Sequence, residues 1–447
     1  MNKSFFIIKL LILIILTSIL SYAKQNFVPI MSNGITLFIS IAPELPIDSN
    51  LELGNENDIL YYVDPRPEEG GENRALRINK HTMRYSEISV DGDNPHSLDR
   101  AGNSDKFYIR TQNSYSFDVV NFKNNTVKTI SLDDHKPRAI GAYNAKYNIQ
   151  LLSALNMPIV DVIDTKNDKI LGTVGDRHTY DKAQLHANAG NGSATGHAIW
   201  LTTDYFVLID RVHAILKLFH VDSKRNYTNV DTISLPTAVH AIEKIKNPQG
   251  SEALTFYAIG EGDIDRNIYP FVAKLILDEK RGKLSPSIRY LRQSKQTIKN
   301  VKPTTHHAGI TPDKRYLIVP VYDGKIYIIN KHTLRIVKVI NTNHLGAGHI
   351  EFSESRNLAI ITNHFSRYIT ILNLNSLAIK KYIKISHHTF DPKTKHLLQP
   401  HFSNVSDDGK YYYTFATQDG DFLKIDLDTL EIVETLHTGG TPEQAHS

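Results

Sequence analysis

The segment that decides the fold is Ile371-Leu-Asn-Leu-Asn-Ser-Leu-Ala-Ile-Lys-Lys-Tyr-Ile383. Apolar and polar residues alternate on both sides of a short turn led by asparagine, which is typical of two strands joined in a hairpin. The same pattern recurs at 328–340 and at 424–436. The leading residue of the turn is Asn79, Asn121, Asp164, Asn330, Asn373 or Asp426. Neighbouring turns lie at separations such as 43 residues (121 to 164, and 330 to 373).

Two weaker turns, near His220–Asp222 and near Asp278, fill the gap between Asp164 and Asn330. Repeats of four short strands at this period, without a helical pattern, predict an all-β fold, a β-propeller. We expect eight four-stranded blades, with seven as the alternative. The ring is expected to close through the C-terminal strand, with the tail at 439–447 returning as the innermost strand of the first blade. The alternative is that residues 35–42 supply that strand.

The N-terminal segment has the composition of a secretory signal. Lys3 and Lys9 make its start basic, and Leu10–Leu20 is an apolar run. Ser21-Tyr22-Ala23 then offers small residues at the positions that a signal peptidase recognises. We therefore predict a signal peptide at 1–23, a single propeller domain at 24–447 and a periplasmic or secreted location. After signal removal, no membrane span is expected.

Composition excludes several classes of function. The chain has no cysteine, which rules out disulfides, thiolate metal sites and iron–sulfur clusters. Its net charge is only +4, without a basic run, so nucleic acid is not an expected partner. Trp200 is the only tryptophan, so a Trp-Asp strand end cannot repeat.

The repeats resemble the YVTN (YncE-like) family of propellers. The strand end Ile360-Ile-Thr-Asn363 is similar to the family's Tyr-Val-Thr-Asn stretch, and Val162-Ile-Asp-Thr165 to its Val-Ile-Asp-Thr stretch. The resemblance covers most of the predicted mature chain. It implies the propeller fold and says little about function.

Histidine recurs at one position of the repeat. Of the 21 histidines, several stand just before or at the start of the innermost strand of successive blades, and one blade carries Pro137-Arg138 there instead. These matched residues are His96, His197, His240, His307, His349 and His401. Equivalent positions of a propeller surround the same end of the axial channel. Two further histidines, His213 and His364, fall in loops between second and third strands on that face, and His306 lies in a crossover loop.

A mouth lined by imidazoles predicts a metal site, because neutral imidazole is a common ligand of zinc and copper. The candidate ligands are His96, His197, His213, His240, His306, His307, His349, His364 and His401. Asp323, Asp419 and Glu351 are nearby candidates for oxygen ligands, and the tail residue His446 would complete the ring. The alternative is structural: a Gly-His pair such as Gly196-His197 or Gly348-His349 can hold strand edges together.

Two families share this arrangement of histidines. The pair His306-His307 resembles the adjacent histidines of the copper-cluster propeller of nitrous oxide reductase, although this chain lacks that family's cysteine-bearing copper domain. The stretch His307-Ala-Gly-Ile310 is similar to a His-His-Gly-Val-like stretch in propeller-type periplasmic zinc chaperones. A haem d1-type propeller, with one axial histidine, is a third resemblance.

The expected function is an exported metal-binding propeller that acts as a carrier, chaperone or sensor of zinc or copper. The expected partners are the metal ion and another envelope protein. The alternatives are a non-catalytic interaction scaffold of YncE type and a copper- or haem-dependent periplasmic oxidoreductase. The sequence does not decide whether the protein is an enzyme.

Overall fold

A computed structural model describes residues 27–32, 35–40, 56–65, 72–102, 104–141, 143–189, 192–442 and 444–446. The chain divides into two compact units, Met1–Glu52 and Leu53–Ser447. In the first unit, strands β1 (Phe27–Ser32) and β2 (Ile35–Ser40) pair with each other in an antiparallel hairpin. The predicted signal peptide lies outside the described residues, and its boundary at residue 23 stays a prediction.

The second unit consists of eight four-stranded antiparallel sheets, the blades of a β-propeller, which confirms the predicted fold and excludes the seven-bladed alternative. The strands of blades 1 to 4 are β3 (Ile59–Asp64), β4 (Arg74–Asn79), β5 (Arg84–Ser89); β6 (Pro95–Arg100), β7 (Lys106–Thr111), β8 (Ser116–Asn121), β9 (Thr126–Ser131); β10 (Pro137–Ile140), β11 (Ile149–Ala154), β12 (Ile159–Asp164), β13 (Lys169–Gly175); β14 (Ile199–Trp200), β15 (Tyr205–Asp210), β16 (Ile215–Val221) and β17 (Tyr227–Ser234).

The strands of blades 5 to 8 are β18 (Val239–Lys244), β19 (Thr255–Gly260), β20 (Phe271–Asp278), β21 (Lys283–Tyr290); β22 (Gly309–Ile310), β23 (Tyr316–Pro320), β24 (Lys325–Asn330), β25 (Ile336–Asn341); β26 (Ala347–Ser353), β27 (Leu358–Asn363), β28 (Tyr368–Asn373), β29 (Ala378–Lys384); β30 (Asn404–Val405), β31 (Tyr411–Ala416), β32 (Asp421–Asp426) and β33 (Glu431–His437). The short 3-10 helices are Glu56–Asp58, Gly250–Leu254, Ile264–Arg266 and Thr417–Asp419.

The last strand, β34 (Gln444–His446), closes the ring as predicted. It pairs antiparallel with β3, with Val63 opposite Gln444 and Tyr61 opposite His446, and so becomes the innermost strand of blade 1. The alternative, in which residues 35–42 supply this strand, is wrong, because β2 pairs with β1. Closure by the tail joins the two ends of the propeller in one sheet and covers the inner edge of β3.

Asparagine or aspartate begins the turns between third and fourth strands because its side chain can accept hydrogen bonds from the backbone of the turn. The Asn330 side chain accepts hydrogen bonds from the backbone N–H groups of His332 (3.1 Å) and Thr333 (3.0 Å). Asp426 does the same for Asp428 and Thr429. Each side chain thus replaces a backbone acceptor and fixes the turn.

The hydrophobic core lies between neighbouring blades. Second and third strands are buried on both faces, as in β12 and β15, whereas fourth strands such as β33 are mostly exposed. One cluster, for example, packs Val207 and Leu218 of blade 4 against Phe256 and Leu275 of blade 5. Blade-to-blade packing holds the inner strands at fixed distances from the axis, and this positions the residues at their starts.

The insertion between blades 3 and 4 contains the one α-helix of the described residues, α1 (Lys182–Ala189). Asp181 starts it: its carboxylate accepts from the Gln184 N–H, and the Gln184 side chain accepts from the Asp181 N–H. This reciprocal pair is a capping box, and its Asp-x-x-Gln spacing is legible in the sequence. No helix of the described part of the chain is long and apolar enough to cross a membrane.

Candidate metal centre

Eight of the nine predicted histidines converge at one end of the inner strands. His96, His240 and His349 lie within the first residues of β6, β18 and β26. His197, His307 and His401 directly precede the short inner strands of blades 4, 6 and 8; His306 precedes His307, and His364 follows β27. The common register therefore places these side chains at the same height around the axis.

The imidazole rings form one continuous cluster. The shortest centroid separation, 3.9 Å, joins His240 to His306, and His307 lies 4.4 Å from His349. His364 joins through His401 (4.8 Å), which in turn contacts His96 at 4.9 Å. We call this the histidine cluster; its members are His96, His197, His240, His306, His307, His349, His364 and His401.

Two triads within the cluster bring ligand atoms close enough to share an ion. His197, His240 and His307 each offer one ring nitrogen, and these nitrogens lie within 4.8 Å of one another. The same holds for His306, His307 and His349. His307 belongs to both triads, so the two cannot be treated as independent sites.

Carboxylates orient two of the cluster rings. His307 Nδ1 donates to Glu243 Oε1 at 3.0 Å, and His240 Nδ1 donates to Glu261 Oε1, also at 3.0 Å. His364 Nδ1 donates to the Gln399 carbonyl oxygen at 3.2 Å. In each ring the proton on Nδ1 leaves the lone pair on Nε2. Such outer partners fix the tautomer and raise the basicity of histidine ligands in metal sites.

Five ring nitrogens of the cluster have no hydrogen-bond partner among the described residues. They are His240 Nε2, His306 Nδ1, His307 Nε2, His349 Nε2 and His401 Nδ1. Their side chains are nearly buried; His240 is 2% exposed and His349 5%. Buried polar atoms are normally satisfied, because leaving one unpaired costs about 1–3 kcal/mol. Five such nitrogen atoms in one place indicate that they bind a common partner from outside the chain.

Burial lowers the pKa of five cluster histidines well below the usual 6.5, and neighbouring rings and arginines reinforce this shift. The five are His197, His240, His306, His349 and His401. A charged imidazolium would be poorly solvated there and repelled by the others. At neutral pH these rings are therefore uncharged, which is the form that binds a metal ion.

A chain of charged groups connects the cluster to blade 3, where the register carries Arg138 instead of histidine. Arg138 Nε donates to Ser193 Oγ (3.1 Å), which also accepts from Arg211. Arg211 pairs with Glu261 at 2.6 Å. Burial and then repulsion from Arg211 lower the pKa of Arg138 to about 10. This series of hydrogen bonds and ion pairs thus ends at Glu261, the carboxylate that orients His240.

Backbone groups, and not the imidazole rings, hold the strand edges together at the Gly-His pairs. The His197 N–H donates to the His240 carbonyl at 3.1 Å, and the His307 N–H donates to the Gly348 carbonyl at 3.2 Å, each in the next blade. A Cβ at Gly196 would lie 2.6 Å from the His240 oxygen, so only glycine permits this approach. The blades are joined without the imidazoles, which leaves these side chains available for another role.

His213 and the predicted oxygen ligands lie apart from the ring contacts of the cluster. His213 pairs with Asp210 (2.9 Å) and lies near Tyr180, which also contacts His178. Asp323 bonds Ser294 and Lys325, while Asp419 bonds Ser386 and the His387 N–H. The His446 side chain lies outside the described residues. Glu351 lines a cavity that adjoins the histidine cluster.

The axial cavity, a space of about 760 Å³, adjoins the histidine cluster. His197 and Phe402 line it near the cluster, and Glu354, Ser355 and Asp407 line it beyond the far ends of β26 and β30. It therefore extends along the inner strands towards the face opposite the crossover loops. Burial raises the pKa of Glu351, within this cavity, to about 8.

Glu243, Glu261 and Phe402 are the site residues that sequence reasoning missed. The two carboxylates lie on or next to inner and second strands, at positions where charged residues are common on solvated faces. Their contacts with His307 and His240 span 64 and 21 residues, so no short sequence pattern indicates these contacts.

Comparison with known proteins supports the fold. No protein-family model matches the chain, and no curated protein matches it. Among solved structures, the dihydro-heme d1 dehydrogenase NirN in complex with DHE is similar with a TM-score of 0.64 and 11% identity, over 88% of this chain and 76% of that chain. AztD from Citrobacter koseri is similar with a TM-score of 0.56 and 11% identity, over 87% and 96%. At this identity the likeness shows the propeller fold alone.

Proposed function

We propose that the histidine cluster binds one transition-metal ion, zinc or copper, and that the protein is an envelope carrier or sensor of that ion. The observation that carries this proposal is the set of five buried ring nitrogens that point into one cluster without a hydrogen-bond partner among the described residues. A metal ion is a partner that several neutral imidazoles can satisfy together.

The donor set selects the class of ion. All converging atoms are imidazole nitrogens, which suit zinc and copper, whereas calcium and magnesium require oxygen ligands. A tetrahedral zinc ion lies about 2.0–2.1 Å from each nitrogen. Because the nitrogens lie within 4.8 Å of one another, small ring rotations would bring three of them to that distance.

His307 limits the occupancy of the two triads to one ion at a time. Its Nδ1 proton is held by Glu243, so Nε2 alone can coordinate. A neutral imidazole nitrogen binds a single metal ion, and His307 belongs to both triads. The two triads are therefore alternative positions of the same ion.

The close packing of the rings favours a bare ion over a macrocycle. Centroid separations of 3.9 to 5.7 Å leave no slot for a haem-sized plane between the cluster rings. Since the chain has no cysteine, a thiolate-bound copper centre that would deliver electrons is also excluded. Binding and release of the ion, without redox chemistry, is the function that this site supports best.

Metal analysis of the purified protein tests the proposal. We expect about one zinc or copper ion per chain, and loss of that ion in the His307→Ala/His349→Ala/His401→Ala variant. The matched control removes three histidines outside the cluster, His178, His213 and His332. Equal metal content in the two triple variants would contradict the proposal and favour the interaction scaffold.

Substitution of Glu243 tests the orientation of the shared ligand. Glu243→Gln is expected to weaken ion binding by about 10–100-fold, because the amide lacks the charge that supports His307 Nδ1–H. Glu431→Gln, on the exposed strand β33, removes a carboxylate of the same size and is expected to leave binding unchanged. Titration against a competing chromogenic chelator measures both affinities, and equal affinities would show that Glu243 has no part in binding.

A further inference from the structure

The axial cavity connects the histidine cluster to the opposite face of the propeller. Its lining is mostly polar and includes Ser97, Asp99, Ser403 and Asn404. A hydrated cation can be accommodated there, because a volume of about 760 Å³ holds many water molecules and the walls offer oxygen atoms to replace them.

The two triads differ in their access to this cavity. His197, of the first triad, lines the cavity directly. Among the described residues that line the cavity there is none of the second triad. The Phe402 ring does line it and stands 4.7 Å from His349 and 5.9 Å from His307. An ion that arrives along the axis therefore meets His197 before it can reach His306 or His349.

The charges around the cavity favour a cation. Exposed Glu354 and Asp407 carry negative charge at its outer end. Burial raises the pKa of Asp99 and Glu351 further in, so these two supply carboxyl oxygen atoms rather than full charges, and Lys246 is the single lysine of the lining. A cleft lined by one sign of charge concentrates ions of the opposite sign and speeds their association. The neutral histidines then offer the ion stronger ligands than the carboxylates do.

We propose that the axial cavity is the port through which the metal ion reaches and leaves the cluster. The His197–His240–His307 triad receives the ion, and the His306–His307–His349 triad holds it. The ion moves between them by exchanging His197 and His240 for His306 and His349 while it remains bound to the shared His307. Phe402 separates the holding position from the cavity. This inference rests on the proposed metal binding.

The absence of cysteine allows the port to be blocked selectively. In Asp407→Cys the new thiol lies at the outer end of the cavity and can be coupled to a bulky polyethylene-glycol maleimide. Coupling is expected to slow zinc uptake at least about 10-fold relative to the same variant capped with iodoacetamide, because the path is obstructed. Thr394→Cys, exposed on a crossover loop of the other face, is the matched control and should give equal rates with either reagent.

Uptake is measured by stopped-flow release of zinc from a fluorescent chelator, and the amount bound is measured at equilibrium. Slower uptake with an unchanged final amount supports the port. Equal rates in the blocked and capped Asp407→Cys protein would overturn it, while slowing only in Thr394→Cys would place the port on the crossover face. Failure of every sample to bind zinc would instead overturn the proposed function.

A second variant tests the barrier. Phe402→Leu keeps an apolar side chain and shortens it, so release of the ion to an excess of chelator is expected to accelerate at least about 5-fold. Leu98→Val, which trims another apolar wall of the cavity away from the triads, is the control. An unchanged release rate in Phe402→Leu would overturn the assigned role of Phe402.

Discussion

His307→Ala is expected to weaken zinc or copper binding by at least about 100-fold, more than any other single substitution in the cluster. The reason is geometric: His307 is the one ligand common to both triads, so its loss leaves only pairs of histidines from each. Equilibrium titration with a competing chelator measures this loss, and the increase in melting temperature on metal addition gives an independent value.

Single substitutions of the other ligands separate the two positions of the ion. His197→Ala leaves the His306–His307–His349 triad complete, and His349→Ala leaves the His197–His240–His307 triad complete. His349→Ala removes the holding position and is expected to weaken binding about 10-fold, whereas His197→Ala leaves that position complete and is expected to change the affinity less than about 2-fold. His213→Ala serves as the control, since its ring pairs with Asp210 instead. If His307→Ala binds no more weakly than His197→Ala, the idea of a shared ligand is wrong.

The metal-free protein is expected to lose stability steeply as the pH falls from 6.5 to 5.5. Burial lowers the pKa of five cluster histidines in the folded chain, whereas the unfolded chain takes up protons near pH 6.5. In this window the unfolded state binds more protons, so stability rises with pH and falls on acidification.

Buried groups with a raised pKa oppose this trend. Burial raises the pKa of Asp99 and Glu351, and hydrogen bonds to Asp161 and Asp134 raise that of His135 against the effect of burial. These groups bind protons more tightly in the folded chain than in the unfolded chain. They are fewer than the histidines with a lowered pKa, so a net loss of stability on acidification is expected.

Urea unfolding at pH 7.5, 6.5 and 5.5 measures this dependence. His349→Gln is expected to reduce the slope by about one proton, and His332→Gln, in an exposed turn, to leave it unchanged. Bound metal is expected to move the loss of stability to lower pH, because it stabilises the folded state until protons displace it. A metal-free protein whose stability is flat over this range would contradict the burial of neutral histidines.

The repeat in the sequence was sufficient to predict the propeller, its eight blades and its closure by the tail. Each blade is a local meander whose turns are set by an Asn or Asp side chain, as at Asn330 and Asp426. Local hydrogen bonds and alternation of apolar residues decide such elements, and both are visible in a short segment. The specific YVTN family is not established by the comparisons.

The repeat also predicted which histidines come together. Residues at one register position lie at one height around the axis, so the sequence alone predicts that His96, His197, His240, His307, His349 and His401 lie at the channel mouth. His213 illustrates the limit of this logic. It occupies a loop on the same face, but its ring turns to Asp210, because a loop side chain is directed by its local partner rather than by the register.

Only the tertiary structure decided how these residues act together. The Glu243–His307 contact, the barrier formed by Phe402 and the sharing of His307 between two triads all depend on the distance between neighbouring blades. That distance follows from how the side chains between blades pack, which no periodicity records. The sequence by itself therefore determined where the histidines of this protein lie, and the packing of its blades determined which of their nitrogens are buried without a partner among the described residues.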